Sequence, residues 1–188
     1  MSDAAALSAT RKPLPDTARP VLCLASASPR RRELLASIGV TVAVRPVDID
    51  ETPRPGEGAI DYVTRLAREK ALAGAGLSAL PTLGSDTAVV CDGEILGKPA
   101  DEAAARRQLA RFSGQRVRFL TGLALLDTRR ARHRVTHETY DVMFRRLEAG
   151  EIARYVEKEK PLECAGSFRM EGLGITLFER LEGDDPNT

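Results

Sequence analysis

The sequence predicts an α/β fold in which a mixed β-sheet is flanked by helices. Two observations lead there. Short apolar runs of strand character are interspersed with stretches whose apolar residues recur every three or four positions, the pattern of helices packed on a sheet. Two long strand-like runs, 117–126 and 135–144, are separated only by a short basic stretch. They form an antiparallel hairpin, so the sheet cannot be wholly parallel.

Residues 1–20 mix Ala and Ser with Arg11, Lys12, Asp16 and Arg19 and contain three prolines. They have no signal-peptide apolar core and are expected to be a flexible extension, leaving 21–188 as a single domain. Residues 21–25 are apolar on both faces, as a buried strand requires. Ser28-Pro29 starts a helix, with Ser at the N-cap and Pro at the first helical position. Leu34, Leu35 and Ile38 form its apolar stripe and Gly39 ends it. Residues 40–47 read as a strand and 48–58 as a polar, proline-bearing loop. A helix over 59–75 buries Val63, Leu66 and Ala67. Residues 83–91 form a strand interrupted at Gly84-Ser85-Asp86, and Asp92-Gly93 is a turn. A helix over 101–112 stops at Ser113-Gly114. The hairpin follows around its basic loop, 127–134, then an amphipathic helix over 148–157 through Ile152, Tyr155 and Val156. A last strand covers 174–181.

Composition narrows the function. The chain has 188 residues, 43% of them hydrophobic, enough for a sizeable core. A net charge of +1 gives no global field for nucleic acid or an anionic membrane, so any anion site is local. With 4% aromatics and no Trp, the composition argues against a stacking platform for single strands. No apolar run approaches the roughly 20 residues of a membrane span. Cys23, Cys91 and Cys164 make neither a CxxC pair nor a zinc spacing. The first two sit in apolar runs, as buried thiols do, and a reducing cytoplasm fits.

Four groups of residues carry candidate chemistry. Ser26, Ser28, Arg30, Arg31 and Arg32 gather where a strand runs into a helix N-terminus, whose free N–H groups favour an anion. Three cations there oppose the helix dipole unless an anion sits between them; a solvated basic turn is the plain alternative. Asp48, Asp50 and Glu51 form an acidic loop able to hold Mg²⁺, or merely solvated. Asp86 lies in an apolar strand, a costly place for a carboxylate unless it is paired or holds a metal. Beside a phosphate site it could order or deprotonate water; the alternative is a structural Asp at a bulge. Lys70 shares the apolar face of the 59–75 helix with Val63 and Leu66, where it either snorkels or meets an anion. Lys98, between Gly97 and Pro99, suits phosphate capture or a surface turn.

In order and spacing, LASASPRR (24–31), DIDET (48–52), RLAREKA (65–71), GSDT (84–87), GEILGKP (93–99), SGQ (113–115), FLTGLAL (119–125) and AGSF with EGLGITLFERLEG (165–183) resemble the Maf family of nucleotide pyrophosphatases, named for inhibition of septum formation. The match covers the chain after residue 20. The resemblance implies an elongated mixed α/β fold akin to inosine-triphosphate pyrophosphatases, two lobes around a cleft, a homodimer, and a role in cell-division arrest. It implies cleavage of a nucleoside triphosphate between the α and β phosphates with a divalent cation, Mg²⁺ or Mn²⁺. Asp86 matches the family's catalytic proton acceptor, and Ser26, Arg31, Glu51, Lys70 and Lys98 match cleft positions. Arg31, Lys70 and Lys98 would neutralise the triphosphate, with Ser28 beside them; the metal would sit near Glu51 and Asp50.

Base choice in the family is set by three positions, here Arg30, Thr87 and Glu171. The C-terminal match resembles the 7-methyl-GTP branch, and the Glu171 carboxylate suits the N1–H and N2–H₂ donors of guanine. Arg30 with Thr87 is instead the pattern of the dTTP/UTP branch, and an arginine would repel a cationic methylated base if it reached it. The longer match favours 7-methyl-GTP. Two alternatives stand beside it: a dTTP/UTP pyrophosphatase, and a non-enzymatic division regulator that binds nucleotide or nucleic acid through 30–32 and 127–134. A further departure is that family members continue past the position of Thr188 with a GLPL-containing segment.

Overall fold

A computed structural model describes residues 19–170 and 172–183. Residues 1–18 of the expected extension and the specificity position Glu171 lie outside the described residues. Cys23 and Leu24 are wholly buried because β1 (Leu22–Leu24) is an interior strand, paired in parallel with β2 (Val42–Val44) and β3 (Thr82–Cys91). β3 pairs antiparallel with β4 (Glu94–Leu96) and β5 (Arg116–Asp127); β5 pairs with β6 (Arg132–Phe144), and β6 with β7 (Phe178–Glu182). The sheet order is β2-β1-β3-β5-β6-β7, with β4 also on β3, a mixed sheet as expected.

Helix α2 (Ala59–Ala75) lies on one face, with the expected Val63, Leu66 and Ala67 fully buried. Its close approach is set by two glycines. A Cβ at Gly84 of β3 would overlap the Ala67 carbonyl, and one at Gly122 of β5 would overlap that of Val63. Backbone thus meets backbone, which only Gly permits. Helices α3 (Glu102–Phe112) and α4 (Ala149–Glu159) cover part of the opposite face, enclosing Val89, Val117, Phe119, Tyr140, Val142 and Phe144 in the main core. Helix α1 (Pro29–Ser37) stands apart from α3 and α4 and buries no residue fully.

Three expectations change and one strand is added. β3 is continuous through Gly84-Ser85-Asp86, in unbroken register with β5 from Thr82↔Leu126 to Val90↔Arg118; Gly84 seats a helix rather than a bulge. The Asp92-Gly93 turn, both residues at positive φ, leads into β4, a strand too short to read from pattern. Leu34, Leu35 and Ile38 form no core stripe: Ile38 is 69% exposed and all three line a cleft. Residues Leu173–Leu177 make 3-10 turns where a strand was expected; the Thr176 hydroxyl donates to Leu173 O at 2.7 Å, a local bond that competes with strand pairing. The final strand therefore begins only at Phe178. No helix among the described residues is long and apolar enough to cross a membrane.

Candidate active site

The site forms where the sheet has a gap. β1 stops pairing with β3 at Leu83, and β4 begins pairing only at Val89. Between them the outer edge of β3 at 84–88 lacks a strand partner among the described residues. Arg31 fills the opening. Its Nη1 donates to Ser85 O at 2.9 Å and Ser26 Oγ at 3.1 Å, and its Nη2 to Thr87 Oγ at 3.1 Å. Ser28 caps α1 by accepting from Arg31 N at 3.4 Å, as its sequence position predicts. Ser26 Oγ also accepts from Ser28 N at 3.2 Å. Ser26, Ser28 and Arg31 are thus one assembly at the helix start.

Strand alternation sorts the β3 side chains onto two sides of that gap. Asp86 points to the α2 face. There Lys70 Nζ donates to Asp86 Oδ1 at 2.6 Å and also pairs with Glu51 Oε1 at 2.6 Å. Lys70 reaches it because it extends the buried Val63–Leu66 stripe of α2. Burial pushes the Asp86 carboxyl above its usual range; Lys70 and then Arg31 pull it back, while Glu51 adds to the rise. Burial also lowers the Arg31 guanidinium, against the opposing pull of Asp86 and Glu51.

The acidic loop is strapped to α2. Tyr62 Oη donates to Glu51 O at 2.9 Å, Arg65 donates to Thr52 O at 3.2 Å, and Arg65 holds Glu57. Burial, followed by Asp86 and Glu51, pushes the Tyr62 phenol up to about 12. Asp50 does not join the cluster: it is exposed, and its Oδ1 accepts from Thr52 N at 2.9 Å. Nor does Lys98, whose 62% exposed side chain pairs with Glu163 at 3.0 Å. Among the described residues no three His, Cys, Asp or Glu side chains form a metal cage. Glu51 and Asp86 alone converge, on the Lys70 ammonium. Two hard oxygen donors suit Mg²⁺ or Mn²⁺ when phosphate and water supply the rest.

Ser85 and Thr87 point to the other face, into a cleft of about 620 Å³ between α1 and the Cys164–Met170 segment. Arg30, Thr121, Phe119, Tyr140 and Phe168 also line it. Thr87 and Thr121 share a hydrogen bond of 3.0 Å. Ser85 Oγ is buried without a hydrogen-bond partner among the described residues. Sequence reading missed Thr121, Ser85 and the straps Tyr62 and Arg65; the matched segments contain Ser85, Thr121 and Arg65 without singling them out, and Tyr62 falls outside all of them. Arg31 therefore bridges a roomy apolar cleft and a carboxylate–ammonium cluster across one strand edge, the layout for a ligand with a flat end and an anionic tail.

A family model described as Maf-like protein matches residues 21–188. The 7-methyl-GTP pyrophosphatase of Chromohalobacter salexigens is 59% identical over 170 residues, 89% of this chain and 87% of that protein. Those of Alkalilimnicola ehrlichii and Alcanivorax borkumensis are 52% and 49% identical, over 90% of this chain and 85% and 86% of theirs. Among solved structures, the Staphylococcus aureus Ham1 protein is 17% identical with a TM-score of 0.48, covering 65% of this chain and 71% of that one.

Proposed function

The chain belongs to the Maf family, and on that premise we propose that it is a nucleotide pyrophosphatase hydrolysing the α–β phosphate bond of 7-methyl-GTP to 7-methyl-GMP and pyrophosphate. One observation carries the reading: a buried carboxylate, Asp86, lies 2.6 Å from the Lys70 ammonium at the sheet gap that Arg31 occupies. The base occupies the cleft and the phosphates pass the edge of β3. Asp86 aligns a water behind the α-phosphorus and takes its proton as the oxygen attacks in line. The bond to the bridging oxygen breaks, and pyrophosphate leaves. Arg31 and Lys70 offset the phosphate charge.

Glu51, the more exposed of the two carboxylates, would help hold Mg²⁺ or Mn²⁺ together with phosphate and water oxygens, and the ion would supply Lewis-acid stabilisation of the phosphate oxygens when bound. Asp50 and Lys98 take no part in this reading. Three relatives that are 7-methyl-GTP pyrophosphatases, 49–59% identical to this chain, support 7-methyl-GTP over dTTP or UTP. The same reading makes the protein a cytoplasmic homodimer. Cys23, Cys91 and Cys164, which form no disulfide, support the compartment; light scattering on the purified protein tests the dimer.

The deciding experiment is a panel of 7-methyl-GTP, GTP, dTTP, UTP and CTP with Mg²⁺, with products identified by ³¹P NMR. Pyrophosphate and the monophosphate are expected, fastest from 7-methyl-GTP. Orthophosphate as the product would overturn the reaction; faster hydrolysis of dTTP or UTP would overturn the substrate.

A further inference from the structure

The mechanism leaves one cleft carboxylate unused. On β6, alternation turns Glu138, Tyr140 and Val142 toward the cleft. The register sets Glu138 opposite Thr121, and Thr121 opposite Thr87. These three make a polar row across the sheet, anchored at its far end by Arg31 on Thr87. The next row is Val89, Phe119 and Tyr140, and Phe168 packs on Phe119 with ring centroids 5.7 Å apart. Glu138 is thus a polar group at the margin of an aromatic wall.

Glu138 is half-buried and is the one acidic residue among the described lining residues. Arg30, Arg31 and Arg169 line the same cleft, yet its carboxylate makes no side-chain hydrogen bond or ion pair among the described residues. A partly desolvated, unpaired carboxylate is costly. A cation placed between it and aromatic rings relieves that cost and gains from the ring faces. Among the bases considered above, 7-methylguanine alone carries a fixed positive charge, and it keeps N–H donors that a carboxylate accepts.

We propose that Glu138 is a specificity-determining residue that binds the positively charged base and separates 7-methylguanine from guanine. This rests on the reading of 7-methyl-GTP as substrate, but its test needs no turnover. Calorimetry on the full chain compares 7-methyl-GMP with GMP. The unsubstituted protein is expected to bind 7-methyl-GMP more tightly, and Glu138→Gln, which keeps the shape and removes the charge, to reduce that affinity ratio about tenfold. Thermal melting checks the fold. Should Glu138→Gln fail to fold, Glu138→Asp replaces it and is expected to lower the ratio by moving the charge back. An unchanged ratio in the folded variant overturns the proposal, as does equal or absent binding of both ligands by the unsubstituted protein. Failure of the pyrophosphatase reading looks different: no pyrophosphate is released while the binding preference persists.

Discussion

Lys70 Nζ stands 2.6 Å from Asp86 Oδ1 and 2.6 Å from Glu51 Oε1, so one ammonium is shared by two carboxylates. The two are not equivalent. Asp86 is buried, whereas the Glu51 side chain is 57% exposed. Glu51 is therefore the partner that can turn toward a cation at little desolvation cost, while Asp86 stays fixed against α2.

Replacing Asp86 by Asn tests its role directly. Asn keeps the shape and can still accept from Lys70, and Glu51 continues to pair with the ammonium. The fold should survive, with a melting temperature close to that of the unsubstituted protein. Turnover should fall by at least about a hundredfold, the usual contribution of a general base. Single-turnover assays beside a thermal melt measure both; retained turnover would remove Asp86 from the mechanism.

The pH dependence follows from the same pair. Burial raises the Asp86 carboxyl and Lys70 opposes that rise. Asp86 serves as proton acceptor only when ionised, so activity is lost as pH falls through its raised value. The acid limb of kcat/KM should lie above the roughly 3.9 of an ordinary aspartate. Lys70→Gln removes the largest opposing influence, so the limb should move further up. A limb that stays in place or moves down would contradict the pairing.

What the sequence made legible was local. The Ser28 cap and the bounds of α2 follow from neighbouring residues, and helical period alone put Lys70 on the face of Val63 and Leu66. Asp86 stood out as a charge in an apolar strand. Strand register was not legible, because pairing joins residues far apart in the chain. Nothing near Thr121 or Glu138 indicates that they share a row with Thr87. Lys98 shows the same limit: Gly97 and Pro99 shape its loop, but its direction is set by Glu163, 65 residues on. The stripe of α1 had the right period for a core helix, and only the open cleft beneath it explains why Leu34 and Leu35 remain partly exposed.

Gly84, like Gly122, should be a demanding glycine near the site. A Cβ there would meet the Ala67 carbonyl and the Ala71 amide of α2, neither of which can yield without moving the helix. Gly84→Ala is expected to cost about 1–3 kcal/mol, as overpacking does, and to separate Lys70 from Asp86. Gly97, where an added Cβ meets nothing within 4 Å, is the control, and Gly97→Ala should be near neutral. Denaturant melts give the stabilities. Turnover of Gly84→Ala, measured where it is fully folded, should fall by more than its stability loss explains. Equal stability of the two variants would show that α2 is not seated on β3 as described.

The strap on the acidic loop makes a prediction with a defined sign. Hydrogen bonds from Arg65 hold the Glu57 carboxyl down at about 2, against an ordinary 4.5. A carboxyl whose value is lowered by folding stabilises the protein above its unfolded value, and that contribution disappears as pH falls toward the folded one. Glu57→Gln should therefore be less stable than the unsubstituted protein near pH 7, with the gap narrowing as pH falls from 4.5 toward 2. Arg65 also holds Thr52 O, next to Glu51. Loosening Arg65 should free that loop, so Glu57→Gln is expected to need more Mg²⁺ for half-maximal rate. Denaturant titrations across pH, paired with Mg²⁺ titrations of the rate at pH 7, read the two effects separately. A stability gap that widens in acid would reverse the sign and refute the strap.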